Sequence, residues 1–388
     1  MRVYVCPALL DWILFLVIFA VSYGAGQRGM TMMEVAWLGG AMQIAYMVAS
    51  LGSGLMLTRR NALAIVVVSA GASVIAAALC LVTSSFGPLV AWMAALGVAS
   101  AFFFNSFQTF MRGDAPPGGL ARATALYTLA WSTGSSMGLI TSGMVYELGM
   151  YGLIAVAALV GGAVGVILWL HEKRPHHEAS ADEHTDDAPG GETGAHLRYV
   201  WVAWIVIFMA MFVQRPIFTF YPKTCGQEGT MAVLAALPLF LHMFIQGVSG
   251  LGMGWMRHWL YRPGPIVAIH AGAAAVLAVL WLWPARWVTA VGIPVLGLWG
   301  GFAYFCAVYY SSNAGHRSRN VGVNECLVGL GSVAGLFVCE WFIDRTKQFE
   351  IMYIVCAVAL AATAVAVAVI GRRRDDGNGE SRELRTEN

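Results

Sequence analysis

Val48-Ala-Ser-Leu-Gly-Ser-Gly-Leu-Met56 returns later in the chain as Val248-Ser-Gly-Leu-Gly-Met-Gly-Trp-Met256. Each copy closes an apolar stretch, and a similar offset brings back Leu96-Gly97 with Phe102 as Leu296-Gly297 with Phe302. Further on, Arg122 with Gly134-Ser135 and Gly138 finds its counterpart in Arg319 with Gly331-Ser332 and Gly335. Apolar sequence matches itself by chance with ease, so any single pair is weak. Three pairs in the same order, separated by similar lengths of chain, read as an internal repeat.

The repeat sits in a chain unsuited to water. Of 388 residues, 59% are hydrophobic and 11% charged, and the mean hydropathy is +0.68. Soluble domains run near 45–50% apolar and about 25% charged, so a water-soluble globule is excluded. The composition is also too apolar for disorder. A formal net charge of +2 gives no footing for nucleic-acid binding. Cys6, Cys80, Cys306, Cys326, Cys339 and Cys356 lie in or beside apolar stretches, where a thiol behaves as a small hydrophobe. Cys225 alone is placed in a polar loop. With no C-x-x-C present, neither a disulfide nor a cysteine-based metal site is expected.

A helix needs about 20 mostly apolar residues to cross a bilayer. Twelve such runs follow one another: Leu9–Gly26, Val35–Leu57, Leu63–Val82, Leu89–Met111, Ala123–Tyr146, Tyr151–Leu170, Tyr199–Tyr221, Met231–Met256, Ile266–Trp283, Val288–Ser311, Val321–Ile343 and Met352–Ile370. The first is interrupted by Asp11 and is read as an uncleaved helix rather than a signal peptide. Arg2, Arg59, Arg60, Arg112, Arg122, Lys173, Arg174, Arg198, Arg257, Arg262, Arg317, Arg319 and Arg372 to Arg374 crowd one set of span ends. Only Arg28, Lys223, Arg286, Arg345 and Lys347 mark the other. By the positive-inside rule both termini are cytoplasmic, as an even number of spans requires.

The expected architecture is therefore all-α and polytopic. Residues 1–170 form one six-helix bundle, 198–371 form a second, and 372–388 are a disordered cytoplasmic tail. The polar stretch 171–197 between the bundles reads as a flexible cytoplasmic linker. Its His171, His176, His177 and His184 stand among acidic residues and read as solvated, not as a metal site.

Two parallel six-helix halves are the arrangement of rocker-type transporters, which hold their solute between the halves. Here the chain resembles the major facilitator superfamily over nearly its whole length. Gly52-Ser-Gly54-Leu-Met-Leu-Thr-Arg59-Arg60 is similar to the family's G-x-x-x-D-R-x-G-R-[KR] loop, without its aspartate. Gly134, Gly138 and Gly143 match the antiporter pattern G-x-x-x-G-P-x-x-G-G, with Leu139 and Ser142 in place of a proline and a glycine. Independently of family, small residues four apart let helix backbones approach closely in lipid. Gly134, Gly138, Gly143, Gly331 and Gly335 are thus expected to serve helix packing.

The resemblance implies that spans one, four, seven and ten line a central cavity. Ionisable or polar groups at membrane depth are costly and mark functional sites. Gln214 and Arg215, just before Pro216, are placed toward a solute, the guanidinium suiting a carboxylate or phosphate. The competing reading has Arg215 snorkelling to the surface. Asn105 and Gln108 share a face of the fourth span, Trp131 lies on the fifth, Tyr304 takes the place of Phe104 in the tenth, and Gln246 follows His242 by one turn. All are candidate substrate contacts, with interhelical hydrogen bonding as the alternative. Asp11, His242 and Glu325 are candidates for proton coupling. Glu325 is further expected to latch onto Arg59 or Arg60 if helices two and eleven meet.

The function expected is secondary active transport of a small polar or amphipathic solute, without cofactor, metal or enzymatic step. Coupling to protons and a lean toward export accompany it, in a monomer resident in the inner membrane. An importer of an anionic metabolite dependent on Arg215, and a non-transporting sensor or scaffold of the same fold, are the alternatives.

Overall fold

The computed structural model describes residues 5–58, 61–114, 120–172, 194–256, 259–312 and 317–372. In it all twelve anticipated spans are helices: α1 Val5–Gln27, α2 Met32–Met56, α3 Ala62–Val82, α4 Phe86–Asp114, α5 Leu120–Val145, α6 Met150–Glu172, α7 Gly194–Gln227, α8 Ala232–Trp255, α9 Pro263–Leu282, α10 Arg286–Ser312, α11 Arg317–Thr346 and α12 Ile351–Arg372. Among the described residues there is no strand. Eleven helices among the described residues are long and apolar enough to cross a membrane. The exception is α5, whose Ser132, Ser135, Ser136 and Ser142 are all buried. It packs along α1 and α8, so its hydroxyls meet protein rather than lipid. Ser142 Oγ donates to Leu16 O at 2.9 Å and Ser136 Oγ to Phe240 O at 3.2 Å. A polar helix is tolerated here because its neighbours satisfy it.

The repeat seen in the sequence is a repeat of contacts. α1 packs on α5 as α7 packs on α11; α2 packs on α4 as α8 packs on α10; and α5 meets α8 as α11 meets α2. The glycines explain the first pair. A Cβ on Gly134 or Gly138 would strike the Ala8 or Trp12 carbonyl of α1, and one on Gly331 or Gly335 would strike the Phe208 or Phe212 carbonyl of α7. Gly143 lies instead against Ala232 and Ala236 of α8, where it serves the contact between halves. With no hydrophobic drive between helices in lipid, such backbone approach supplies the attraction.

One repeat escaped the sequence reading. Gly26-Gln-Arg-Gly29 and Gly226-Gln-Glu-Gly229 end α1 and α7 alike, and Gly29 and Gly229 adopt φ of +70° and +69°. Met30 N bonds to Ala25 O at 3.0 Å and Thr230 N to Cys225 O at 2.9 Å, closing both helices with the same glycine-based cap. The counterpart of Gln27 is thus Gln227. Because α7 runs to Gln227, Cys225 and Lys223 are buried helical residues rather than loop residues, which corrects their assignment. Lys223 Nζ reaches Gln227 Oε1 at 2.8 Å. The two ends cross: Gly26 lies against the Lys223 carbonyl and Gly226 against that of Tyr23. Tyr23 Oη donates to Thr230 O at 2.5 Å, and Tyr146 stacks edge-on against Tyr23 with centroids 4.9 Å apart. Together with Gly39 and Gly40 against Leu336 and Phe337, these contacts close the end remote from the termini.

The two halves are not identical. α10 packs on α7 and on α11, whereas α4 has no comparable contact with α1 or α5 among the described residues. The space so left beside α4 contributes to the cavity described next.

Candidate functional site

Seven helices, α1, α2, α4, α5, α7, α10 and α11, enclose a central cavity of about 110 Å³. Most of its lining positions lie at the middle of their helices or in the half nearer the termini, from Asp11 and Phe15 on α1 to Tyr304 and Val308 on α10, while Gln214, Arg215 and Phe218 lie beyond the middle of α7. Phe15, Phe104, Trp131 and Phe218 supply aromatic walls.

The polar residues around this space fall into two groups. The first is saturated. Gln214 Nε2 sits 3.0 Å from His242 Nε2 and donates to Gln246 Oε1 at 2.5 Å, while Gln214 Oε1 accepts from Tyr304 Oη at 2.9 Å. Gln246 Nε2 continues to Ser132 Oγ at 3.1 Å. On its other side His242 Nδ1 lies 2.8 Å from Ile293 O. A carbonyl only accepts, so Nδ1 carries the proton and Nε2 accepts from Gln214. This chain ties α10, α8, α7 and α5 together. Gly300 leaves the room for it, since a Cβ there would collide with both glutamines. Of its members, Gln214 and Tyr304 line the cavity, but Gln246 and His242 lie behind its wall with no exposed surface.

Asn105 belongs with them. Its Nδ2 donates to Ser53 Oγ at 2.5 Å, joining α4 to α2 away from the cavity lining. Glu325 does meet α2, accepting from Tyr46 Oη at 2.5 Å in the cavity wall. The anticipated latch partners Arg59 and Arg60 lie outside the described residues, as do the side chains of Gln108 and of the linker histidines.

The second group is unsaturated. Arg215 lines the cavity without a hydrogen bond or ion pair to any described residue, its guanidinium carbon 5.8 Å from the centre of the Phe15 ring. Asp11, 6% exposed, faces the same space from α1 and is likewise unpaired among the described residues. Gln43 on α2 and Asn324 on α11, each 3% exposed, carry amides whose oxygens have no partner among the described residues. Neither residue was singled out from sequence. The signal available was position: Gln43 stands one turn from Tyr46, and Asn324 adjoins Glu325. The groups facing Asp11 across the cavity are Arg215 from α7, Glu325 from α11, Tyr46 from α2, Tyr127 from α5 and Tyr304 from α10.

A charged group at the middle of a lone membrane helix costs about 3 kcal/mol, and burying a polar group without a partner adds a comparable penalty. The first group has escaped that cost through its own bonds. The second has not, and it faces a cavity. Trp131 completes the wall by an edge-on contact with Tyr304, centroids 4.7 Å apart. Among the described residues no three of His, Cys, Asp and Glu gather around a point that a metal ion would occupy.

Comparison with known proteins bears on the whole molecule. The family model described as Major Facilitator Superfamily matches residues 3–314. A bacterial homolog of the human lysosomal transporter Spinster, solved inward-facing and unoccupied, superposes with a TM-score of 0.58 at 16% identity, covering 96% of this chain and 95% of its own. The human organic anion transporter MFSD10 (TETRAN) superposes with a TM-score of 0.62 at 14% identity, covering 95% and 98%. At these identities the likeness is one of fold. Among curated proteins, no sequence matches.

Proposed function

This chain belongs to the major facilitator superfamily, and on that premise we propose that it is a secondary transporter whose solute is small, polar or amphipathic, and presents an acidic group to Arg215. The carrying observation is the guanidinium itself: enclosed by seven helices, facing a cavity, and without a hydrogen-bonding partner among the described residues. Arginine's planar fork suits a carboxylate or phosphate, and the aromatic walls around it accept an apolar body. Asp11, equally unpaired, is the proton site of the coupled cycle. The saturated His242 holds helices instead, and Glu325 with Tyr46 joins α2 to α11.

In this reading both termini face the cytoplasm of a monomer in the inner membrane. The crossing of α1 and α7 is then the closed outer end, and residues 1–170 and 198–371 are the rocking units. Export is the direction favoured by the likeness of Gly134, Gly138 and Gly143 to the antiporter pattern.

Proteoliposome transport tests it. Arg215→Lys should cut transport at least about tenfold, because a point charge loses the bidentate geometry. Normal turnover by that variant would remove the acidic group from the proposal. Flux that is unchanged when the pH gradient is collapsed would remove the proton.

A further inference from the structure

Arg215 explains an anion, but it leaves Asp11 and two amides facing the same cavity. Opposite charges sharing a small apolar enclosure would ordinarily pair, since each relieves the other's desolvation. Here they do not: the Asp11 carboxylate and the Arg215 guanidinium line one space of about 110 Å³ without forming an ion pair. They project from α1 and α7, which are related by the internal repeat, so their separation is set by the frame and not by a flexible loop. The amides of Gln43 and Asn324 border the same space from α2 and α11 with unpartnered oxygens. Glu325 and Tyr46 come from those same two helices, so the acceptor-rich wall belongs to α1, α2 and α11, and the one cation among the described lining residues to α7.

We infer that the cavity binds a small zwitterion: an acidic group on Arg215, a cationic group on Asp11, hydrogen bonds to Gln43 and Asn324, and an apolar portion against Phe15 and Trp131. The inference rests on the reading of Arg215 given above and adds the second charge. It also gives Asp11 two occupants in turn. The solute's cationic group takes the carboxylate that a proton holds when the cavity is empty of solute, so each turn exchanges one for the other.

The test is a thermal-shift titration of the purified full-length protein with free amino acids, aromatic and aliphatic, as probes. Each is run beside its N-acetyl derivative, which keeps only the anion, and its carboxamide, which keeps only the cation. At least one free amino acid should stabilise the protein, and both its single-charge relatives should bind at least about tenfold more weakly, the size of one lost ionic contact. Asp11→Asn should abolish the advantage over the N-acetyl compound while leaving that compound's own binding intact. If N-acetyl derivatives bind as well as their parents, the cationic subsite is wrong while the role of Arg215 survives. If carboxamides match their parents and Arg215→Gln binds them normally, the reading of Arg215 falls as well. If no compound of the three sets shifts the melt, both fall. The analogue series on the unaltered protein decides the matter even if Asp11→Asn does not fold.

Discussion

Gln214 and Arg215 are neighbours on one helix, yet they belong to different economies of the molecule. Gln214 has used its amide fully, on His242, Gln246 and Tyr304. Arg215, over the Phe15 ring, makes no hydrogen bond or ion pair to the described protein and faces the cavity. At one membrane depth, polarity therefore serves two ends. Where bonds are saturated it fixes helices to one another; where they are open, the proposed function gives it a solute or a proton to hold. The hydrogen-bond ledger separates holders from binders better than residue type does, since both groups contain amides at mid-membrane.

The largest expected effect breaks the binder side. Arg215→Gln should lower transport by about a hundredfold, the size of two lost charge-assisted hydrogen bonds, with a melting temperature equal to or above that of the parent. Transport assays in proteoliposomes alongside a melt would check both halves of that statement. The next attacks the holder side. Gln214→Leu strands His242, Gln246 and Tyr304, and should cost about 1–3 kcal/mol of stability, read by denaturation in detergent, while the surviving folded protein still transports. Gln43→Leu and Asn324→Leu sharpen the contrast among amides. Each should weaken solute binding about tenfold, or 1.4 kcal/mol, without lowering the melt, because neither amide oxygen has a partner to lose. Smallest is Asn105→Ala, which removes its bond to Ser53 and should cost about 0.6 kcal/mol, an average interhelical hydrogen bond in a membrane protein.

What the sequence disclosed follows the same division. Helix number and order were legible because twenty-residue apolar runs have one economical structure in lipid. Gly134, Gly138, Gly331 and Gly335 were legible as packing residues because spacing alone puts them on one face. Periodicity also set His242 and Gln246 on a shared face, but it does not say what that face meets. They meet Gln214 and Ser132, not the cavity. Gln43 and Asn324 went unread for the converse reason: nothing in a mid-helix amide tells that its neighbours will leave it unpaired. The glycine-capped ends of α1 and α7 went unread because a short Gly-x-x-Gly stretch at a span end carries no periodic signal. Gly29 and Gly229, at φ near +70° in both, supply the true register.

The adjacent pair offers the most direct test of the account. Gln214→Leu and Arg215→Gln would be melted side by side, with and without the ligand found to stabilise the parent. The account predicts that Gln214→Leu melts several degrees lower and keeps its ligand-induced rise, whereas Arg215→Gln melts no lower and loses that rise. If the two variants lose stability equally, or Arg215→Gln retains the ligand response, the division between holders and binders is wrong.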